Sequence, residues 1–87
     1  MLEHLQELKK SRKVIGARQS LRALKSGIVK RAIIAYDADE RIVDGIKQLC
    51  MQKNISIEYV DTMKQLGKEC NIEVGTSVVC ILKDDIT

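Results

Sequence analysis

Two unbroken apolar runs constrain this chain more than any other feature. One is Arg31-Ala32-Ile33-Ile34-Ala35-Tyr36-Asp37 and the other Ser77-Val78-Val79-Cys80-Ile81-Leu82. A strand with one wet face alternates apolar and polar residues, whereas a continuous run needs cover on both faces. Each run is too short for a buried helix. The 87-residue chain has no Pro, Phe or Trp, so its core must be built from Ile, Val, Leu, Met and Ala. Interior strands of this kind call for helices on both sides of a sheet.

The rest of the chain supplies them. Leu2, Leu5 and Leu8 recur at helical spacing and predict a first helix from Leu2 to about Ser11. Val14-Ile15 is a short strand ending at Gly16. A helix of little more than two turns follows and stops at Gly27, a residue suited to the positive φ just beyond a helix end. After the first apolar run, Asp37-Ala38-Asp39-Glu40 offers a cap and first-turn acids to a helix reaching about Lys53, with Asn54 in the turn. Ile55 to Val60 alternates as a strand. Asp61 or Thr62 caps a short helix that presents Met63, Leu66 and Cys70 on one face. Gly67, inside that helix, costs about 1 kcal/mol against alanine and so points to close packing with a neighbour. Asn71 to Gly75 is a loop, and Lys83 to Thr87 a polar tail. Strands alternating with helices predict a single α/β domain over residues 1–87, an α/β/α three-layer sandwich around a four-stranded mixed sheet.

Composition narrows the function classes. Cys50, Cys70 and Cys80 are widely spaced and set among apolar residues, and His4 is the only histidine. Neither a disulfide framework nor a zinc site has the pairs it needs, so buried reduced thiols are expected, with no cofactor and no metal. No apolar stretch reaches a membrane span and no leader pattern opens the chain, so a cytoplasmic location without membrane attachment is expected. The acids Asp37, Asp39 and Glu40 follow a buried strand, a place where α/β enzymes hold Mg²⁺ or a phosphoryl group. No glycine-rich phosphate loop accompanies them, and capping accounts for all three; the expectation is a protein that is not an enzyme.

Charge is unevenly shared. Residues 1–31 hold nine Lys/Arg against Glu3 and Glu7, a net +7, while residues 32–87 carry a net −4. Such a positive pole attracts polyanions. At its centre lies Gly16-Ala17-Arg18-Gln19-Ser20-Leu21-Arg22-Ala23-Leu24-Lys25. On a helical wheel Ala17, Leu21 and Leu24 share an apolar face, and Arg18, Arg22 and Lys25 form a basic stripe with Gln19 at its edge. A solvated surface helix would look the same. The alternative is an RNA- or duplex-reading helix end, with free N–H groups near Gly16 for a phosphate and Arg18, Gln19 and Arg22 for base edges. Two tyrosines, Tyr36 in a strand that reads as buried and Tyr59, do not make the stacking platform usual in single-strand binders.

Three segments in register resemble one family. Gly16-Ala17-Arg18-Gln19-Ser20-Leu21-Arg22-Ala23 through Gly27 resembles the glycine-opened RNA-binding helix of the kink-turn-binding ribosomal proteins, the "L seven Ae" type. Ile33-Ile34-Ala35-Tyr36-Asp37-Ala38-Asp39 matches that family's strand and acidic turn, and Leu66-Gly67-Lys68-Glu69-Cys70-Asn71-Ile72-Glu73-Val74-Gly75 its second signature. The likeness runs from about Val14 to Leu82 and includes a resemblance to the small bacterial YbxF-type members. It implies an RNA-binding, ribonucleoprotein-type role: recognition of a kink-turn, an RNA bend with tandem sheared G·A pairs and a flipped-out nucleotide. Carried over by position, Gly16, Ala17, Arg18, Gln19 and Arg22 would meet the G·A pairs and adjacent phosphates; Lys25, from the basic stripe, is expected as a further contact to any RNA. Ile72, Glu73 and Val74 would lie near the flipped nucleotide, approached also by Asp39 and Lys64. Arg18-Gln19 stands where the family has Asn-Glu, and Asn71 where it has Gly. The implied partner is structured RNA containing a kink-turn, the ribosome being one setting, bound by a monomer. The other reading is a ribosome-associated or protein-interaction module of the same fold without tight kink-turn recognition.

Overall fold

The computed structural model describes residues 11–84. Its elements run β1 (Lys13–Ile15), α1 (Ala17–Lys25), β2 (Val29–Ala35), α2 (Glu40–Gln52), β3 (Ser56–Val60), α3 (Met63–Glu69) and β4 (Val78–Leu82). The helix predicted from Leu2 to about Ser11 falls almost wholly outside the described residues. The predicted turn residues hold: Gly27, Asn54 and Asn71 all take positive φ, at 74°, 57° and 64°. Asp39 and Thr62 cap α2 and α3.

The four strands form one mixed sheet in the order β1-β4-β2-β3. β4 runs antiparallel to both β1 and β2, and β2 parallel to β3. Thus β1, β2 and β3 all point one way. Val14 and Ala32 flank Cys80 in register, which puts these three side chains on one face of the sheet. On that face the Cys80 thiol meets Ser20 of α1 and lies near Cys50 of α2. Lys13, opposite Ile81, is on the other face and lies near Cys70 at the end of α3. Helices therefore cover the sheet on both sides, α1 and α2 on one and α3 on the other. The predicted three layers are present among the described residues.

Every residue of β4 is buried, as the two-sided cover requires, and its Val78, Val79, Cys80 and Ile81 are fully enclosed. With Leu24, Ile33, Ile34, Ile46 and Leu66 they make a core without Phe or Trp. The three cysteines are free and buried. Among the described residues no helix is long and apolar enough to cross a membrane, and no cluster of His, Cys, Asp or Glu could hold a metal ion.

One boundary moves. β2 spans Val29–Ala35, not Arg31 to Asp37. Tyr36 still donates its amide to the Val60 carbonyl at 2.8 Å, but the chain then turns. Asp37 leaves the strand because its carboxylate accepts from the Met63 amide at 2.7 Å, tying the turn to the start of α3.

Candidate nucleic-acid interface

Strand direction assembles the surface. Because β1, β2 and β3 run one way and β4 against them, the chain leaves the first three and enters the fourth at one end of the sheet. Gly16, the turn Tyr36–Asp39, the Asp61-Thr62 corner and the approach to β4 all open there. So do the N-termini of all three described helices. The Gly16 amide donates to the Val78 carbonyl at 2.8 Å, and Ala35 to Ser77 at 3.0 Å, stitching the loops to the sheet.

The three helix ends differ. The α2 end is capped by Asp39, whose side chain accepts from the Arg41 amide at 2.9 Å, and Glu40 adds a first-turn acid. The α3 end is capped by Thr62, which accepts from Gln65 at 3.0 Å, and by Asp37 on the Met63 amide. At the α1 end Gly16 offers no side chain, and the first turn carries no acid. Its backbone at φ 97°, ψ 160° is a conformation open to glycine and strained for other residues. The first helical amides, at the positive end of the helix dipole, are thereby left without a side-chain cap among the described residues. Arg18, Gln19 and Arg22 are exposed around that end, while Ser20, Ala23 and Leu24 are buried against the sheet. The basic stripe and the apolar face thus separate along α1 as the spacing predicts. Ser20 is a polar residue on the buried side: its Oγ is buried without a nitrogen or oxygen partner and abuts the Cys80 thiol.

A second candidate element is the segment after α3. It turns at Asn71 and runs back along the helix toward the interface. Ile72 donates to the Gly67 carbonyl at 3.0 Å and Thr76 to the Met63 carbonyl at 3.1 Å. A β-carbon on Gly67 would collide with the Val74 carbonyl, and one on Gly75 would lie 3.0 Å from the Met63 backbone. Two glycines thus let loop and helix touch. The close packing predicted from Gly67 is this contact. The clamp leaves Val74 71 % exposed and Glu73 exposed, with Ile72 half-buried.

Gly16, Ala17, Arg18, Gln19, Asp39, Lys64 and the approach to β4 therefore share one end of the molecule, with Arg22 one turn along α1. Lys25 is not among them. It lies at the far end of α1, about 12 Å from Ala17 along the axis. Asp39 already has partners: Arg41 grips its carboxylate at 2.8 and 3.2 Å and, with the backbone amide, holds its pKa below the usual value. Between the first turns of α1 and α2 runs an apolar groove that includes Ile42 and Ile46, with Arg18 and Arg41 beside it.

The structure also brings in a residue that sequence reasoning set aside. Tyr36 lies in the turn, 68 % exposed. Its ring stacks on Tyr59 with centroids 4.6 Å apart and planes 10° from parallel. Lys47 Nζ sits 5.7 Å from the Tyr59 centroid. The pattern of residues 31–37 could not show this, because a tyrosine closing an apolar run reads as more strand.

The chain is similar to proteins of one known family. Residues 1–86 match the model of the ribosomal protein L7Ae/L30e/S12e/Gadd45 family. An RNA-binding protein of Geobacillus sp. (strain WCH70) is 40% identical over 76 residues, covering 87% of this chain and 93% of its own. The RNA-binding protein YbxF of Geobacillus stearothermophilus is 43% identical over 70 residues, covering 80% of this chain and 85% of its own. Among solved structures, the 15.5kD RNA binding protein of Giardia lamblia superposes with a TM-score of 0.86 at 31% identity, covering 97% of this chain and 74% of that one. The chain belongs to the ribosomal protein L7Ae/L30e/S12e/Gadd45 family.

Proposed function

We propose that this chain is a cytoplasmic RNA-binding protein that acts as a monomer, recognises kink-turn RNA and stabilises its bent form. The observation that carries the reading is the open α1 end. Of the three described helix N-termini gathered at one end of the sheet, it alone lacks a side-chain cap, and it alone is flanked by Arg18, Gln19 and Arg22. Relatives across most of their length are named RNA-binding proteins, which supports RNA as the polyanion and binding in place of catalysis.

The arrangement suits a bent RNA. In a kink two phosphate backbones approach closely, and cations at that point lower the cost of bringing them together. The amides at the α1 start take a phosphate. Arg18 and Arg22 add charge and bidentate donors, which match the O6/N7 edge of guanine, and the Gln19 amide both donates and accepts at a G·A edge. Glu73 and Val74, held out by the Gly67 clamp, provide an acceptor and an apolar contact for a displaced nucleotide, with Ile72 behind them and Lys64 and Asp39 at the flank. Lys25, at the other end of α1, serves as a sequence-independent backbone contact. A protein that binds only the bent conformer shifts the population toward it.

A kink-turn duplex carrying fluorophores at its two ends tests this reading without added divalent ions. Stoichiometric protein should raise energy transfer between the ends. Unchanged transfer at saturating protein would remove the bend-stabilising role and leave the other reading, a module of this fold that associates with RNA without selecting its shape.

A further inference from the structure

We infer that the outer face of Tyr36 is a stacking platform for an unpaired nucleobase of the bound RNA, a contact beyond the α1 end and the Ile72–Val74 loop. The inference rests on the RNA-binding reading above and adds to it a further contact element.

Several observations converge on this ring. Tyr36 is 68 % exposed, yet it is not loose: its inner face is stacked 4.6 Å from Tyr59 and nearly parallel to it. Tyr59 is half-buried within β3, opposite Ile34, with the Lys47 ammonium close to its ring. A ring already fixed in orientation loses little entropy when a ligand stacks on it. A parallel stack leaves one flat aromatic face outward, the shape a base complements. Position fits as well. Tyr36 follows β2, two strand spacings from the end of β1 where Gly16 opens α1, so the platform lies about 10 Å across the same end of the sheet.

Charge decides what the platform takes. Asp37 and Asp61 stand in the adjoining turns, both exposed, while Asp39 is paired with Arg41. The first two disfavour a phosphate at this spot, in contrast to the α1 end. A neutral base face is compatible with them, and their carboxylates can accept from an exocyclic amine. The site therefore suits a base splayed out of the helix, not the backbone.

The test uses wild type, Tyr36→Ala and Tyr36→Phe against three hairpins. The first is a kink-turn, the second the same RNA with abasic sugars at its unpaired nucleotides. The third has its G·A pairs replaced by Watson–Crick pairs and keeps the unpaired nucleotides. Tyr36→Ala should bind the intact kink-turn roughly five- to a hundredfold more weakly, and Tyr36→Phe within about twofold of wild type. On the abasic RNA wild type and Tyr36→Ala should be equal. The chain has no Trp, so emission reports Tyr36 and Tyr59 alone. RNA should quench wild type, and the quench should be lost in Tyr36→Phe whatever the stability of the alanine variant. Equal binding of wild type and Tyr36→Ala to the intact RNA overturns the platform, as does an equal loss on the abasic RNA or a quench that survives in Tyr36→Phe. Failure of kink-turn recognition shows separately, as equal wild-type affinity for the first and third RNAs.

Discussion

Gly67 lies so close beneath the Val74 carbonyl that no β-carbon fits between them. Helix α3 and the loop bearing Glu73 and Val74 are one unit because of that missing methyl group. Gly67→Ala should therefore destabilise the fold by about 1–3 kcal/mol despite the better helix propensity of alanine. Gly45 is the control, since it lies in α2 with nothing within 4 Å of its would-be β-carbon. Gly45→Ala should raise stability by about 0.5–1 kcal/mol. Urea unfolding of the two variants beside wild type reads both signs. A Gly67→Ala variant as stable as Gly45→Ala would show that the loop yields freely.

A second prediction concerns Gly16. Space is not the constraint there, because nothing lies within 4 Å of the point a β-carbon would occupy; the constraint is φ at +97°. Gly16→Ala should cost about 1–3 kcal/mol in backbone strain. It should also weaken RNA binding beyond what stability explains, since relief of the strain reorients the first amides of α1. Binding measured well below the unfolding temperature separates the effects, and full affinity there would remove the helix end from the interface.

Gln19 and Lys25 divide the work of α1 by position. Gln19 stands in the first turn, at the gathered end, whereas Lys25 closes the helix about 12 Å from its start. Gln19→Ala should reduce affinity for a kink-turn and leave a plain duplex unaffected. Lys25→Ala should weaken both modestly and lower the slope of log affinity against log salt by about 1. Identical salt slopes and identical losses for the two variants would contradict the division.

Cysteine chemistry gives a prediction independent of RNA. Burial, with Cys80 nearby, pushes the Cys50 thiol up to about 11 from an ordinary 9.0. The native protein thus keeps a proton that the unfolded chain releases. Its contribution is intact below pH 9 and falls between pH 9 and about 11, by up to about 1.4 kcal/mol per pH unit. Cys50→Ala should flatten that decline in urea unfolding across the window. A decline of unchanged steepness in Cys50→Ala would assign it to other groups.

Much of the fold is legible in the sequence because it follows from local pattern. The runs ending at Asp37 and Leu82 mark two interior strands, and Gly27, Asn54 and Asn71 mark turns whose positive φ their residue types permit. Less legible is whatever depends on partners far along the chain. Asp37 reads in sequence as a cap for the helix that follows it, yet it caps Met63, 26 residues on, just past the end of β2. Nothing in the residue pattern singles out Ser20, yet the packing of α1 on β4 buries it beside Cys80. The candidate interface divides the same way. Charge and the Gly16 opening pick out α1 from residues alone. Its meeting with Asp39, Lys64 and the Ile72–Val74 loop depends on strand direction, which the sequence shows only through resemblance to the family.

The central claim is selection of the G·A-paired bend by the α1 end and its neighbours. Its most direct test is titration of wild-type protein, at one fixed salt concentration, against a labelled kink-turn duplex and a matched duplex with Watson–Crick pairs in place of the G·A pairs. Binding to the kink-turn should be at least about tenfold tighter, the discrimination that one well-placed base contact supports. Equal affinity for the two RNAs would contradict the account and reduce this surface to a basic patch.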